Sequence, residues 1–169
     1  MLYRGWSPGF RMQQMDHYLI LKSFHIFGVV IFLGNIIITG FWKGFADFSK
    51  DWRIIAFSQR LVTYTDIFFT ALGVLIIAIT GMAMAHYYNN PFHIKWIAWG
   101  LGLFIASGII WLTILIPIQL KLNNIVRQFN ENSTIPSHYW TYEKIWMFFG
   151  IIATLLPLGN LYWMVFKPM

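Results

Sequence analysis

His25 stands inside an apolar stretch, Tyr18 to Trp42, that reads YLILKSFHIFGVVIFLGNIIITGFW. The stretch is long enough to cross a bilayer, and an ionisable side chain at that depth is costly and marks function by default. By rise per residue His25 lies about 10 Å into this segment. An imidazole there can ligate a metal or a haem, relay a proton, or hydrogen-bond a neighbouring helix. His86 closes the second apolar segment, and His17 and His93 fall on the same side. Two imidazoles on opposite faces of one porphyrin would ligate a b-type haem, with His25 as one axial ligand and His86 as the candidate for the other. The plain alternative has His25 bonded to a helix carbonyl and His86 facing headgroups.

A second constellation overlaps the first. Met82, Met84 and His86 form MAMAH, and Met82 and His86 are four apart on one helical face. Thioether and imidazole together suit Cu(I), so His25, His86 and Met82 are also a candidate copper set. Methionine is equally ordinary filler in apolar helices.

The opposite layer holds Asn35, Asp66 and Gln119, with Arg60 near the entrance of the second segment. Asp66, in TYTDIFFT, is the one carboxylate inside the four apolar segments. It needs a partner or a proton, and Arg60 or Asn35 could supply the contact. It reads either as a proton relay or substrate contact, or as a structural pair favoured by its helix N-terminus. Asn35 and Asn160 read as interhelical hydrogen-bond glue.

Four elements must position these groups. The apolar segments run over 18–42, 61–87, 96–120 and 145–166, each with the twenty or so residues of a helical span. Short alternating segments of a β-barrel are missing. The predicted fold is therefore all-α, a four-helix integral membrane bundle in one domain, 1–169. Residues 43–60 mix charges with Trp52, Ile54, Ile55 and Phe57, which predicts an amphipathic helix lying partly in the interface. The short 88–95 link makes the second and third helices antiparallel neighbours. Residues 121–144 begin as a polar extension of the third helix and break around Asn132–Pro136, with Ser137 or Thr141 as caps of the fourth. Pro117 and Pro157 read as kinks near helix ends. Gly28, Gly34, Gly73, Gly81, Gly100, Gly102, Gly108 and Gly150 offer close helix contacts.

Composition agrees. The 169 residues are 58% hydrophobic and only 11% charged, about half the charged fraction typical of a soluble domain. Aromatics reach 20%, which suits interfacial belts. With no cysteine, disulfides, thiolate metal sites and cysteine nucleophiles are excluded. The net charge of +6 belongs to topology and lipid headgroups, and no nucleic acid is expected as a partner. Residues 1–17 lack the apolar core of a signal peptide, so the first segment reads as a retained span. The 43–60 and 121–144 connectors carry more Lys and Arg than the terminal side, which puts those connectors in the cytoplasm and both termini outside. No phosphate-binding loop, HExxH, GxSxG or EF-hand pattern occurs.

The runs LKSFHIFGVVIFLGNIIITGFWKGFAD, QRLVTYTD, GLGLFIASGIIWLTILIPIQ, IPSHYW and LLPLGNLYWMVFKP resemble a bacterial family of predicted integral membrane proteins, domain of unknown function 2269. That resemblance implies a bacterial inner-membrane protein and supplies no reaction. More distantly, LKSFHI is similar to the first helix of haem-dependent protoporphyrinogen oxidases and of copper-resistance D-type membrane proteins, and VFKP to the oxidases' C-terminus. The oxidase resemblance implies haem ligation at the matching position, His25. The basic and aromatic run that follows the oxidases' first helix has no counterpart here. The expectation is haem b bound for membrane redox chemistry, with quinone or porphyrin as partner. A copper-handling protein and a non-catalytic scaffold, in a homo-oligomer or larger membrane complex, are the alternatives.

Overall fold

In a computed structural model the chain is a bundle of four long helical spans, described for residues 8–130 and 134–167. The first is α1 (Pro8–Ser49). The second runs through α2 (Trp52–Thr65), a π-helical turn Asp66–Thr70 and α3 (Ala71–Ala85). The third runs through α4 (Lys95–Ile110), a π turn Trp111–Leu115 and α5 (Ile116–Val126). The fourth is α6 (Ser137–Phe166). All four are long and apolar enough to cross a membrane, and the described residues contain no strand. The all-α bundle expected from the apolar segments is what forms.

The helices outrun their apolar segments at the loop-side ends. Residues 43–60 do not form a separate interfacial helix. Lys43 to Ser49 complete α1, a tight turn follows with Lys50 at φ 53°, and Asp51 caps α2 by accepting from the Arg53 amide at 2.8 Å. A mixed face of α2 then turns inward, burying Ile55, Ala56, Ser58, Gln59 and Val62 while Arg53 and Arg60 stay exposed. An amphipathic pattern says only that a helix has two faces, and here the second face meets other helices. The fourth helix starts at Ser137 after Pro136, and no side chain caps it. The break ahead of it is correctly placed, although residues 131–133 lie outside the described residues.

Packing is uneven along the membrane normal. α1 packs mainly on α3, and α4 mainly on α6. Gly73 makes the first contact possible, because a Cβ there would sit 2.9 Å from the Phe32 Cβ and 3.0 Å from the Gly28 carbonyl. Gly28, Gly81 and Gly100 are similarly pressed, whereas Gly34, Gly102, Gly108 and Gly150 have nothing within 4 Å. The expected close contacts thus occur at half of those glycines. The two helix pairs are joined in the loop half by a core of Ile55, Val62, Leu122, Val126, Tyr139 and Trp146. In the terminal half they part, leaving a crevice between them.

Candidate functional site

His25 lines that crevice, a space of about 820 Å³ between α1, α3, α4 and α6. Its Nδ1 lies 3.0 Å from the Thr80 hydroxyl oxygen. Thr80 in turn donates to the Ile76 carbonyl at 2.5 Å. With that hydrogen used, Nδ1 is the protonated nitrogen and donates to Thr80, and Nε2 keeps its lone pair. Gly81 lets one edge of the ring come close to α3, since a Cβ there would meet His25 Cε1 at 3.3 Å. A histidine whose second nitrogen is anchored this way is set up as a ligand, because the anchor fixes both tautomer and ring orientation.

The crevice has a polar rim and an apolar body. Lys22 and Lys167 border it, and the Lys167 ammonium sits 4.9 Å from the Trp96 ring centroid. Tyr18 and Tyr88 close the upper wall with their hydroxyls 3.3 Å apart. Met84 and Met164 present thioethers to the same space. Met82 and His86 do not line it; both are exposed, Met82 at 49%. Met84, two residues from the Met82 expected on spacing, thus lines the same crevice as His25, and His86 is left exposed at the end of α3. Among the described residues no group of three His, Asp or Glu side chains is placed to hold a metal ion.

The loop half carries a second polar constellation. Asp66 accepts from Asn35 Nδ2 at 3.1 Å and from the Thr70 hydroxyl at 3.0 Å, while Asn35 also donates to Thr70 at 2.8 Å. Asn35 is thus the partner of Asp66, and Arg60 is exposed. Asp66 sits at the π turn in the middle of its span, not at a helix N-terminus, because the helix begins at Trp52. Farther toward the loops Lys43, 1% exposed, forms an ion pair with Glu143 Oε2 at 2.6 Å and donates to Gln59 Oε1 at 2.6 Å. The Lys43 ammonium also lies 3.4 Å from the Tyr139 hydroxyl, which donates to Asp47 at 2.7 Å. Thr63, Gln119 and Asn123 fill the space between the two groups, with Asn123 donating to Thr63 at 2.7 Å and Gln119 at 3.3 Å.

The Lys43–Glu143 pair was not legible as a pair, because both residues look like connector charges next to the apolar runs. A signal was present. Lys43 and Asp47 are four apart in FWKGFAD, and Tyr139, Glu143 and Trp146 share one helical face in HYWTYEKIW.

The model of a family described as predicted integral membrane proteins, domain of unknown function 2269, matches residues 19–168. Neither the curated proteins nor the solved structures offer a match.

Proposed function

The chain belongs to that family of integral membrane proteins, and from this premise we propose that it binds a b-type haem in the terminal-half crevice with the His25 Nε2 as axial ligand. The observation that carries the proposal is the Nδ1 anchor on Thr80, which in the Nδ1–H tautomer leaves the Nε2 of a membrane-depth imidazole with its lone pair free. The crevice volume, about 820 Å³, is in the range of pockets that enclose small-molecule cofactors. Lys22 and Lys167 at the rim suit the two carboxylates of a haem, and the apolar walls suit its ring. Met84 and Met164 also line the crevice, and their thioethers, in place of His86, would be the further side chains available to hold the group. When bound, the haem would supply one-electron chemistry. The protein's own part is to hold the ring, set the imidazole tautomer and keep water from the apolar walls.

The localisation that fits this reading is a bacterial inner membrane with both termini outside. Porphyrin or quinone would be the partner reached from the bilayer.

The test is an absorption spectrum of protein purified after expression with haem supply, oxidised and then reduced. A Soret band that is lost in His25→Ala and weakened in Thr80→Val is the expected result. Absence of any Soret band in the wild type overturns the reading. The presence of Met84 and Met164 in the same crevice as His25 favours one second reading, a thioether–imidazole Cu(I) site, and metal analysis of the same sample separates it. Protein that carries neither haem nor copper and co-purifies with a larger complex would instead be a scaffold subunit.

A further inference from the structure

The loop half contains a cavity of its own, about 500 Å³, that the haem reading does not use. Asp66 and Thr70 border it at one π turn and Trp111 and Leu115 at the other. Such turns are rare and recur at functional sites. Between α1 and α6 it opens past Phe41, Phe45, Ile151 and Leu155, which are 54% to 71% exposed. Those side chains face where lipid would be, so the entrance is from the bilayer. Gly40, Gly44 and Gly150 hold this side open: a Cβ built on any of them meets nothing within 4 Å.

The side-chain polar hydrogens around this space are all engaged or hidden. Thr70 donates to Asp66 Oδ1 at 3.0 Å, and Thr39 donates to the Asn35 carbonyl at 2.8 Å. Ser107 donates to the Ala153 carbonyl at 2.8 Å, and Thr154 to the Gly150 carbonyl at 2.7 Å. The indole N–H groups of Trp111 and Trp146 have no accessible surface, so neither reaches the cavity. Among the described residues lining it there is no lysine, arginine or histidine. A carbonyl, a carboxylate or a phosphate would therefore find no side-chain donor here. What remains polar is the Asp66 carboxyl, placed among donors as an acceptor. Its Oδ1 takes the Asn35 and Thr70 bonds. Its Oδ2 takes neither, and it is not sealed off without a partner as the indole nitrogens are. The Gln119 side chain lies beside the carboxyl, and its amide donates to Thr63 at 3.3 Å. A carboxylate at membrane depth needs a positive partner, and Asn35, Thr70 and Gln119 are all neutral. Arg60 is exposed, and Lys43, 5.5 Å from the Trp146 ring centroid, is paired with Glu143. The counter-charge for Asp66 thus has to arrive with the occupant.

We infer that the loop-half cavity is a binding site for a lipophilic amine in its protonated form, whose ammonium donates to Asp66 and whose apolar group lies along the cavity walls and leaves between α1 and α6. The charge and the hydrogen-bond sense both match: the site offers an acceptor and lacks a cation, and the ligand brings a cation with donors. The carboxyl contacts α1 at Asn35, ten residues from His25, or roughly 15 Å by helical rise. The site stands whether or not haem binds in the other half.

The test uses the full chain in phosphatidylcholine nanodiscs and a dodecylamine carrying a photoreactive diazirine in its chain. Labelling is expected to saturate and to map to 37–48 of α1 or 147–155 of α6. Excess dodecylamine should displace it, whereas excess dodecanol or dodecanoate, with the same chain and the wrong head, should not. Asp66→Asn, which keeps the shape and removes the charge, should reduce labelling at least tenfold. Gly44→Leu, which puts a side chain into the open space, should do the same without touching the carboxyl. His25→Ala acts on the other crevice and should label as the wild type does, so failure of the haem reading leaves this result intact. Labelling that does not saturate, that yields equally to dodecanol or dodecanoate, or that persists undiminished in either folded Asp66→Asn or folded Gly44→Leu overturns the assignment.

Discussion

Lys43 and Glu143 illustrate how an ion pair behaves where water is scarce. Each charge is nearly inaccessible; Lys43 has Glu143, Gln59 and Tyr139 around its ammonium, whereas Glu143 has Lys43 as its counter-charge. The Lys43 ammonium also sits 5.5 Å from the Trp146 ring centroid, a distance at which the ring face attracts a cation. Removing one partner strands the other, at a cost of about 3–5 kcal/mol. Lys43→Met should therefore lower unfolding stability in micelles by that amount. Lys43→Met combined with Glu143→Leu should recover most of the loss, as a well-packed apolar pair often equals a buried ion pair. Denaturant titration of the three proteins followed by helical circular dichroism checks both statements. Asp66, Asn35 and His25 were all legible as single polar residues in apolar runs. What sequence could not supply was their pairing. Asn35 and Asp66 sit 31 residues apart and meet because α1 and the second span run antiparallel with Phe32 facing Gly73.

The helices themselves were largely readable, because twenty apolar residues in a row have one stable answer in a bilayer. Their ends were not. Lys43, Asp47, Tyr139 and Glu143 look like connector residues until the ends of α1 and α6 come together and neutralise one another. The π turns were also invisible, since one extra residue in a turn leaves no mark on an all-apolar pattern. Pro117 lies in the first turn of α5, directly after the second π turn, where its missing amide does no harm. Close approach of α1 and α3 yields a prediction at this scale. Gly73→Ala should destabilise the bundle by about 1–3 kcal/mol, because the new methyl meets backbone of α1 that cannot swing away. Gly34→Ala, facing open space, should be neutral or stabilising by up to about 1 kcal/mol. Thermal unfolding of the two variants side by side distinguishes a packing effect from a general penalty on helix glycines.

At the scale of the whole molecule the bundle is closed at one end and open at the other. The buried core and the Lys43 network lie in the loop half, and the His25 crevice lies in the terminal half. Four spans put both termini on one side of the membrane. The burial of Lys43 removes it from the cations available to set orientation, so in the proposed orientation Lys50, Arg53, Arg60, Lys121, Arg127 and Lys144 are the residues that would hold the loops in the cytoplasm. Alkaline phosphatase fused after residue 167 should accordingly be active, and the same enzyme inserted at 130 inactive. The reverse pattern would turn the protein over in the membrane.

The Lys43 network also dictates an order of assembly. Lys43 is made with the first span, whereas Tyr139 follows 96 residues later and Glu143 after that. At about 5–20 residues per second the ribosome needs roughly 5–20 s to deliver those partners. Through that interval the ammonium lacks Glu143, and Asp47, one turn on in α1, is the carboxylate within its reach. The ion pair therefore closes only once α6 has been made and has docked against α1.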